Sequence, residues 1–335
     1  MSALAVSAPA RRLRALAAAS VGALLLAGCA GGDAASGERS EADDVVAVAT
    51  TTQLGSLLEQ IATCADVSVA TVMGPGDDPH DFAASSAQVA AMARSGLVFA
   101  NGLGLEAGMS SALRNAEADG ATVVELAEDL DPLPFGAHDA HHADHDDDHH
   151  GDASADGHDH GSLDPHVWMD VARMATAAEL MGQHLAEARD EPRLSECGRT
   201  VAAEIRETDA QVREILDRIP DDARRLIVDH DAYGYFADAY GFQIVGIVAP
   251  GGSTDAAPSS QRLAELTQTL RDAQADALIT SAASSVAEVQ SLASEAADVP
   301  LISLYEGGLG DPDSGAATYS DAMIANAEAL AEALR

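Results

Sequence analysis

A chain of 335 residues is long enough for two domains of ordinary size, each with a full core. It carries 55 acidic residues against 18 basic ones, all of them Arg, for a formal net charge of -37. Such a surface repels nucleic acid and anionic lipid, which argues against both as partners, and it favours cations.

The N-terminus stands apart from the fold. Arg11, Arg12 and Arg14 precede an apolar run over residues 15–26 that is too short to span a bilayer as a mature helix. Leu26-Ala27-Gly28-Cys29 follows. A basic segment, an apolar stretch and small residues at a cleavage point describe a secretory signal over residues 1–28. A Cys directly after L-A-G resembles the bacterial lipobox, in which that Cys is lipidated and becomes the mature N-terminus. Cys29 is therefore the expected lipid anchor, with residues 29–43 as a flexible tether on the outer face of the cell membrane. Cys64 and Cys197 are the two other cysteines. Outside the membrane such a pair is more often a disulfide than a metal site, although their positions neither require nor exclude contact.

Residues 45–49 form an apolar run of strand length, followed by a helix over 53–62 and a second strand over 67–72. G-P-G-D-D-P-H (74–80) reads as a loop, and Ser85 or Ser86 can cap a helix over 87–94. A strand at 97–100, a helix at 105–117 and a strand at 122–126 continue the alternation, which predicts parallel βα units. A low-complexity tract then intervenes. Over residues 138–160, eight of 23 positions are His and eight are Asp. It reads either as a solvated linker or, through its imidazoles, as a place for metal. Order resumes at Asp164-Pro165-His166-Val167-Trp168 and runs into a helix over 171–188. Pro192 marks a break, and a long helix follows over 194–218. Its apolar positions Val201, Ile205, Val212, Ile215 and Ile219 make one stripe on a charged rod, which suits a stiff connector.

The second half repeats the pattern. Strands are expected at 226–228, 242–248, 277–280 and 301–304, with helices at 232–240, 259–273, 284–297 and 317–334 and a loop at 250–254. The predicted fold is α/β, with two lobes, each a central parallel sheet flanked by helices, joined by one long helix. Residues 44–193 make the first lobe, containing the His/Asp-rich loop 138–162. Residues 194–219 make the linker helix and 220–335 the second lobe.

Ligand groups in open α/β sheets gather just beyond the C-terminal ends of parallel strands. Outside the tract the chain has four His, and His80, His166 and His230 fall at predicted strand ends. His184 falls mid-helix and reads as non-ligating. Glu306 directly follows the last strand, but acids are abundant and its position alone does not single it out. Three imidazoles and one carboxylate, two groups from each lobe, make a four-coordinate, nitrogen-rich set that suits Zn²⁺ in the cleft between lobes.

At these residues the chain resembles the cluster A-I substrate-binding lipoproteins of metal-importing ABC transporters, in the zinc branch. G-P-G-D-D-P-H-D-F, N-G-L-G-L-E (101–106), D-P-H-V-W-M, D-H-D-A-Y-G-Y-F (229–236) and Y-S-D-A-M-I-A-N (319–326) fall in the family's order across nearly the whole mature chain. The resemblance implies two lobes bridged by a rigid helix, and metal held in the cleft by His80, His166, His230 and a carboxylate at Glu306. It also implies a membrane permease as partner and a monomeric, non-catalytic protein. Manganese-type members resemble this pattern with a carboxylate where this chain has His230, and exchanging an oxygen for imidazole moves preference from Mn²⁺ toward Zn²⁺. Two departures stand out: members often carry Asp where this chain has Glu306, and many show an acidic residue where this chain reads T-S-A-A-S (280–284).

The tract's His138, His141, His142, His145, His149, His150, His158 and His160 suit loose, accessory zinc capture, since no scaffold preorganises them. Two other functions compete with import. One is a surface adhesin or zinc buffer with no transporter partner. The other is a zinc hydrolase; the chain has no H-E-x-x-H motif, and no spacing positions Asp229 or Asp231 as its base.

Overall fold

The computed structural model describes residues 45–136, 162–249, 275–282 and 299–335, with positions 261, 264, 267 and 268. The signal and tether with Cys29, most of the loop 138–162 with all eight of its His, the loop 250–254 and most of the helices expected at 259–273 and 284–297 lie outside the described residues.

Two four-stranded sheets, each wholly parallel, organise the chain. The first has the order β2-β1-β3-β4, from β1 (Val45–Ala49), β2 (Ser68–Thr71), β3 (Leu97–Ala100) and β4 (Thr122–Glu125). The second has the order β6-β5-β7-β8, from β5 (Arg225–His230), β6 (Gln243–Ala249), β7 (Ala277–Ser281) and β8 (Leu301–Leu304). Strands β3 and β7 are buried along their whole length; the unbroken apolar run of β3 is what a parallel strand covered on both faces requires, and β7 follows it through Ala277–Ile279 before ending in the buried Thr280 and Ser281.

Four of the helices start where a side chain satisfies a free N–H group. Thr51 caps α1 (Thr52–Ala65), and Ser85 and Gln88 form a reciprocal capping box on α2 (Ser86–Ser95). Asp170 caps α4 (Val171–Arg189), and Thr318 caps α7 (Tyr319–Ala333). Between them come α3 (Ser110–Ala118), α5 (Pro192–Leu216) and the short α6 (Gly234–Tyr240).

Three local expectations need correction. The helix expected from residue 105 begins only at Ser110, after a 3-10 turn over Ala107–Met109, because Leu105 and Glu106 still belong to the turn that folds the Glu106 carboxylate back onto the N–H groups of Asn101 and Gly102. Pro192 stands at the break between α4, which ends at Arg189, and α5, but it opens α5 two residues before the expected start at 194; at a first helical turn the missing N–H costs nothing. Strand β5 continues through Asp229 and His230, which pairs with Ala249, so His230 ends the strand instead of following one that stops at Val228.

Helix α5 connects the two sheets and packs on α4, α1 and α7. Its contact with α4 is backbone to backbone. A Cβ on Gly198 would lie 2.8 Å from the Ala178 carbonyl oxygen and 2.8 Å from Gly182 Cα. Cys197, one residue earlier, is disulfide-bonded to Cys64 near the end of α1, with Cα atoms 5.7 Å apart. One continuous apolar core includes Leu57 and Phe99 of the first lobe, Val201 and Ile205 of α5, and Phe236 and Ile279 of the second. The two sheets therefore share a single hydrophobic foundation.

Candidate metal centre

The site lies where chain segments leave the C-terminal ends of the strands. His80 belongs to the loop after β2, His166 to the segment that leads into α4, His230 ends β5 and Glu306 follows β8. All four are buried, the most open being His80 at 8%.

Each imidazole is aimed by its neighbours. Asp164 Oδ1 accepts hydrogen bonds from both the backbone N–H of His166 (2.9 Å) and its Nδ1 (2.7 Å). Asp229 Oδ1 accepts the same pair from His230, at 2.8 and 2.9 Å, while its Oδ2 accepts the Ser281 N–H at the end of β7 (2.6 Å). With Nδ1 carrying the shared proton, Nε2 is the nitrogen left to offer a lone pair. The His80 N–H donates to Asp78 Oδ1 at 2.9 Å, which curls the loop toward the other rings.

One ligand nitrogen from each of His80, His166 and His230 falls within 4.8 Å of the other two, the only such group of three among the described residues. His166 Nε2 and His80 Nε2 are 3.3 Å apart. Glu306 lies beside this triangle, its Oε2 3.6 Å from His230 Nε2. Burial alone would lower the pKa of His230. The charge of Glu306, the hydrogen bonds to Asp229 and Glu306, and the charge of Asp229 outweigh burial and hold it well above the ordinary imidazole value.

Both lobes brace the site. The Tyr235 hydroxyl donates to the Asp164 carbonyl (2.6 Å), and Asn101 Nδ2 donates to the Pro165 carbonyl (2.9 Å). Asn101 is itself set by Glu106, whose carboxylate accepts the N–H groups of Asn101 (2.7 Å) and Gly102 (3.1 Å) and the Thr50 hydroxyl (2.8 Å). Burial raises the pKa of Glu106, and those hydrogen bonds oppose the rise. The Glu306 carbonyl accepts from Trp168 Nε1 (2.8 Å) and Gln53 Nε2 (3.0 Å), so the residue that follows β8 is held by first-lobe side chains.

Sequence reasoning missed Glu106, Asn101, Gln53 and the orienting role of Asp164 and Asp229. The signal for the two aspartates was present, since each stands one or two positions before its His. His184 on α4 packs edge-on to Phe99, ring centroids 6.4 Å apart, and is not in the imidazole group.

Two parallel-sheet lobes and three buried imidazoles with ligand nitrogens within 4.8 Å of one another fit a metal-binding substrate-binding protein of the ABC-transporter type. Over residues 47–333 the chain matches the family described as ZnuA, zinc-uptake complex component A, periplasmic, and it belongs to that family. It is 24% identical to the manganese-binding lipoprotein MntA of Halalkalibacterium halodurans over 316 residues, covering 93% of this chain and 95% of the relative. It is 26% identical to the protein of the same name from Bacillus subtilis over 321 residues, covering 92% and 95%. In fold it is similar to the periplasmic zinc-binding protein TroA of Treponema pallidum, with a TM-score of 0.72 at 23% identity over 87% of this chain and 99% of that one.

Proposed function

We propose that this protein captures Zn²⁺ outside the cytoplasm and hands it to an ABC-type importer, with His80, His166, His230 and Glu306 as the metal ligands. The observation that carries the reading is the convergence of three buried imidazoles, ligand nitrogens within 4.8 Å, two of them held by aspartates at Nδ1. Nitrogen donors of this kind suit Zn²⁺ better than the harder, oxygen-preferring Mn²⁺. The burial of all four groups supports a bare ion as cargo, since a larger ligand would need an opening that side chains 0–8% exposed do not leave.

Mn²⁺ is the second reading, favoured by the likeness to the two manganese-binding lipoproteins MntA. Metal content of the purified mature protein, with competitive titration of Zn²⁺ against Mn²⁺, separates the two. One equivalent of tightly bound Zn²⁺, lost in His230→Ala, is the expected result, and unchanged affinity in that variant would refute the site.

The proposal includes a lipid anchor on Cys29, a tether over 29–43, lobes bounded at 44–193 and 220–335 with the linker helix 194–219 between them, a monomeric state and a permease as docking partner. It also includes an accessory, weakly binding role for the tract 138–160. Deleting the tract should leave the single tightest site intact. Zinc-limited growth of a deletion strain separates import from buffering at the surface. Metal-dependent turnover of ester or peptide substrates would instead speak for the hydrolase.

A further inference from the structure

Tyr233 is fully buried, its ring stands edge-on to His230 with centroids 6.3 Å apart, and its hydroxyl has no hydrogen-bond partner among the described residues. The contrast with the other buried tyrosines is sharp. Tyr235 donates to the Asp164 carbonyl, Tyr240 to Asp209 Oδ1 and Tyr319 to the Trp168 carbonyl, at 2.6, 3.0 and 2.6 Å. A buried hydroxyl without a partner is rare because it forgoes solvation for nothing, and phenylalanine would pack there without that cost. A phenol hydroxyl is a hydrogen-bond donor at neutral pH.

An acceptor arises when cargo binds. Glu306 Oε2 faces His230 Nε2 at 3.6 Å. A divalent cation on Nε2 takes the lone pair and displaces any proton there, so this imidazole can no longer donate to Glu306. The carboxylate then turns to the cation. If it coordinates through one oxygen, the other is left in a site that is 2% exposed and needs a donor.

We propose that Tyr233 is a positioning residue for the cargo, its hydroxyl donating to the Glu306 carboxylate in the loaded state and holding it to coordination through a single oxygen. That favours a four-coordinate ion over one that takes six oxygen-rich ligands, and so sharpens preference for Zn²⁺ over Mn²⁺. The inference rests on the metal-capture reading of the site.

Tyr233→Phe removes one oxygen atom and little else. The measurements are the thermal midpoint of the metal-free protein and the affinities for Zn²⁺ and Mn²⁺ by competition titration. The metal-free midpoint should stay the same or rise, because the deleted hydroxyl bonds to nothing. Zn²⁺ affinity should fall about tenfold, the lower end of the loss seen when an outer-shell partner is removed, and Mn²⁺ affinity should fall less. Wild-type affinity for both ions would overturn the inference, as would a fall in the metal-free midpoint with equal loss for both ions, which marks a packing residue. His230→Ala serves as the control. If it loses Zn²⁺ binding while Tyr233→Phe does not, only this inference fails; if it binds like wild type, the metal-capture reading fails with it.

Discussion

Asp229 grips His230 twice through one oxygen, accepting the backbone N–H at 2.8 Å and Nδ1 at 2.9 Å, and with its other oxygen takes the Ser281 N–H at 2.6 Å. One carboxylate thus sets a ring, polarises it and ties the ends of β5 and β7 together. Asp164 repeats the double grip on His166. Asparagine keeps an acceptor for the ring at either site but removes the charge that makes the imidazole a stronger donor to metal. Asp164→Asn should therefore weaken Zn²⁺ binding roughly 10- to 100-fold with the stoichiometry unchanged. Asp229→Asn should lose as much affinity and also stability, about 1–3 kcal/mol, because its amide N–H would face the Ser281 N–H. Calorimetric titration and denaturant unfolding check both, and equal stability loss in the two variants would argue against the strand-tying role.

The raised pKa of His230 sets a pH dependence whose sign differs between empty and loaded protein. The metal-free fold holds the His230 proton more tightly than the unfolded chain does. Its contribution to stability is fully present below about pH 6.5, the unfolded value, and is lost as pH rises through the higher folded value. Metal must displace that proton, so apparent Zn²⁺ affinity should rise through the same window. Thermal midpoints from pH 6 to 9 (about three units spanning the ordinary imidazole value), with and without Zn²⁺, should diverge with increasing pH, and His230→Gln should flatten the metal-free curve. A wild-type metal-free curve no steeper than that of the variant would contradict the raised value.

How much of this was legible in advance depends on whether the information was local. Strands β3 and β8 stand at their expected bounds because L-V-F-A and L-I-S-L are short runs with clear punctuation. The three site imidazoles could be picked out because few His lie outside the tract, so each one at a strand end carries weight. Glu106 offered no such contrast among 55 acids. Its meaning comes from the positive-φ turn at Gly102, Leu103 and Gly104, which folds the carboxylate back onto the N–H groups at the start of its own loop. Leu103 is the instructive case, since a leucine at φ 53° is held there by tertiary structure and no propensity announces it. Tyr233 and Tyr235 sit two apart in one motif, yet one hydroxyl is bonded to the Asp164 carbonyl and the other, among the described residues, to nothing. Spacing cannot separate them.

The bridge between Cys64 and Cys197 joins α1 to α5 across 133 residues of sequence. Closing so long a loop restricts the unfolded chain, which predicts a loss of about 2–4 kcal/mol in the double Cys→Ser variant. Gln53, which holds the Glu306 carbonyl, lies on the same α1 but at its opposite end. Stability should therefore fall while Zn²⁺ affinity at temperatures well below unfolding stays near wild type. Denaturant melts and titration on the same sample test this, and a parallel loss of affinity would mean that the bridge also shapes the site.

Where α4 meets α5, the glycines make the tightest demand on side-chain size. A Cβ on Gly198 would sit 2.8 Å from the Ala178 carbonyl oxygen and from Gly182 Cα, both backbone atoms that no rotamer change can move aside. The helices would have to separate, and α5 carries contacts to α1 and α7 that resist it. Gly198→Ala should destabilise the protein by about 1–3 kcal/mol, although alanine is the better helix former by about 1 kcal/mol. Propensity and packing thus predict opposite signs. Unfolding in urea decides between them: a stabilised variant would show that the two backbones are free to part.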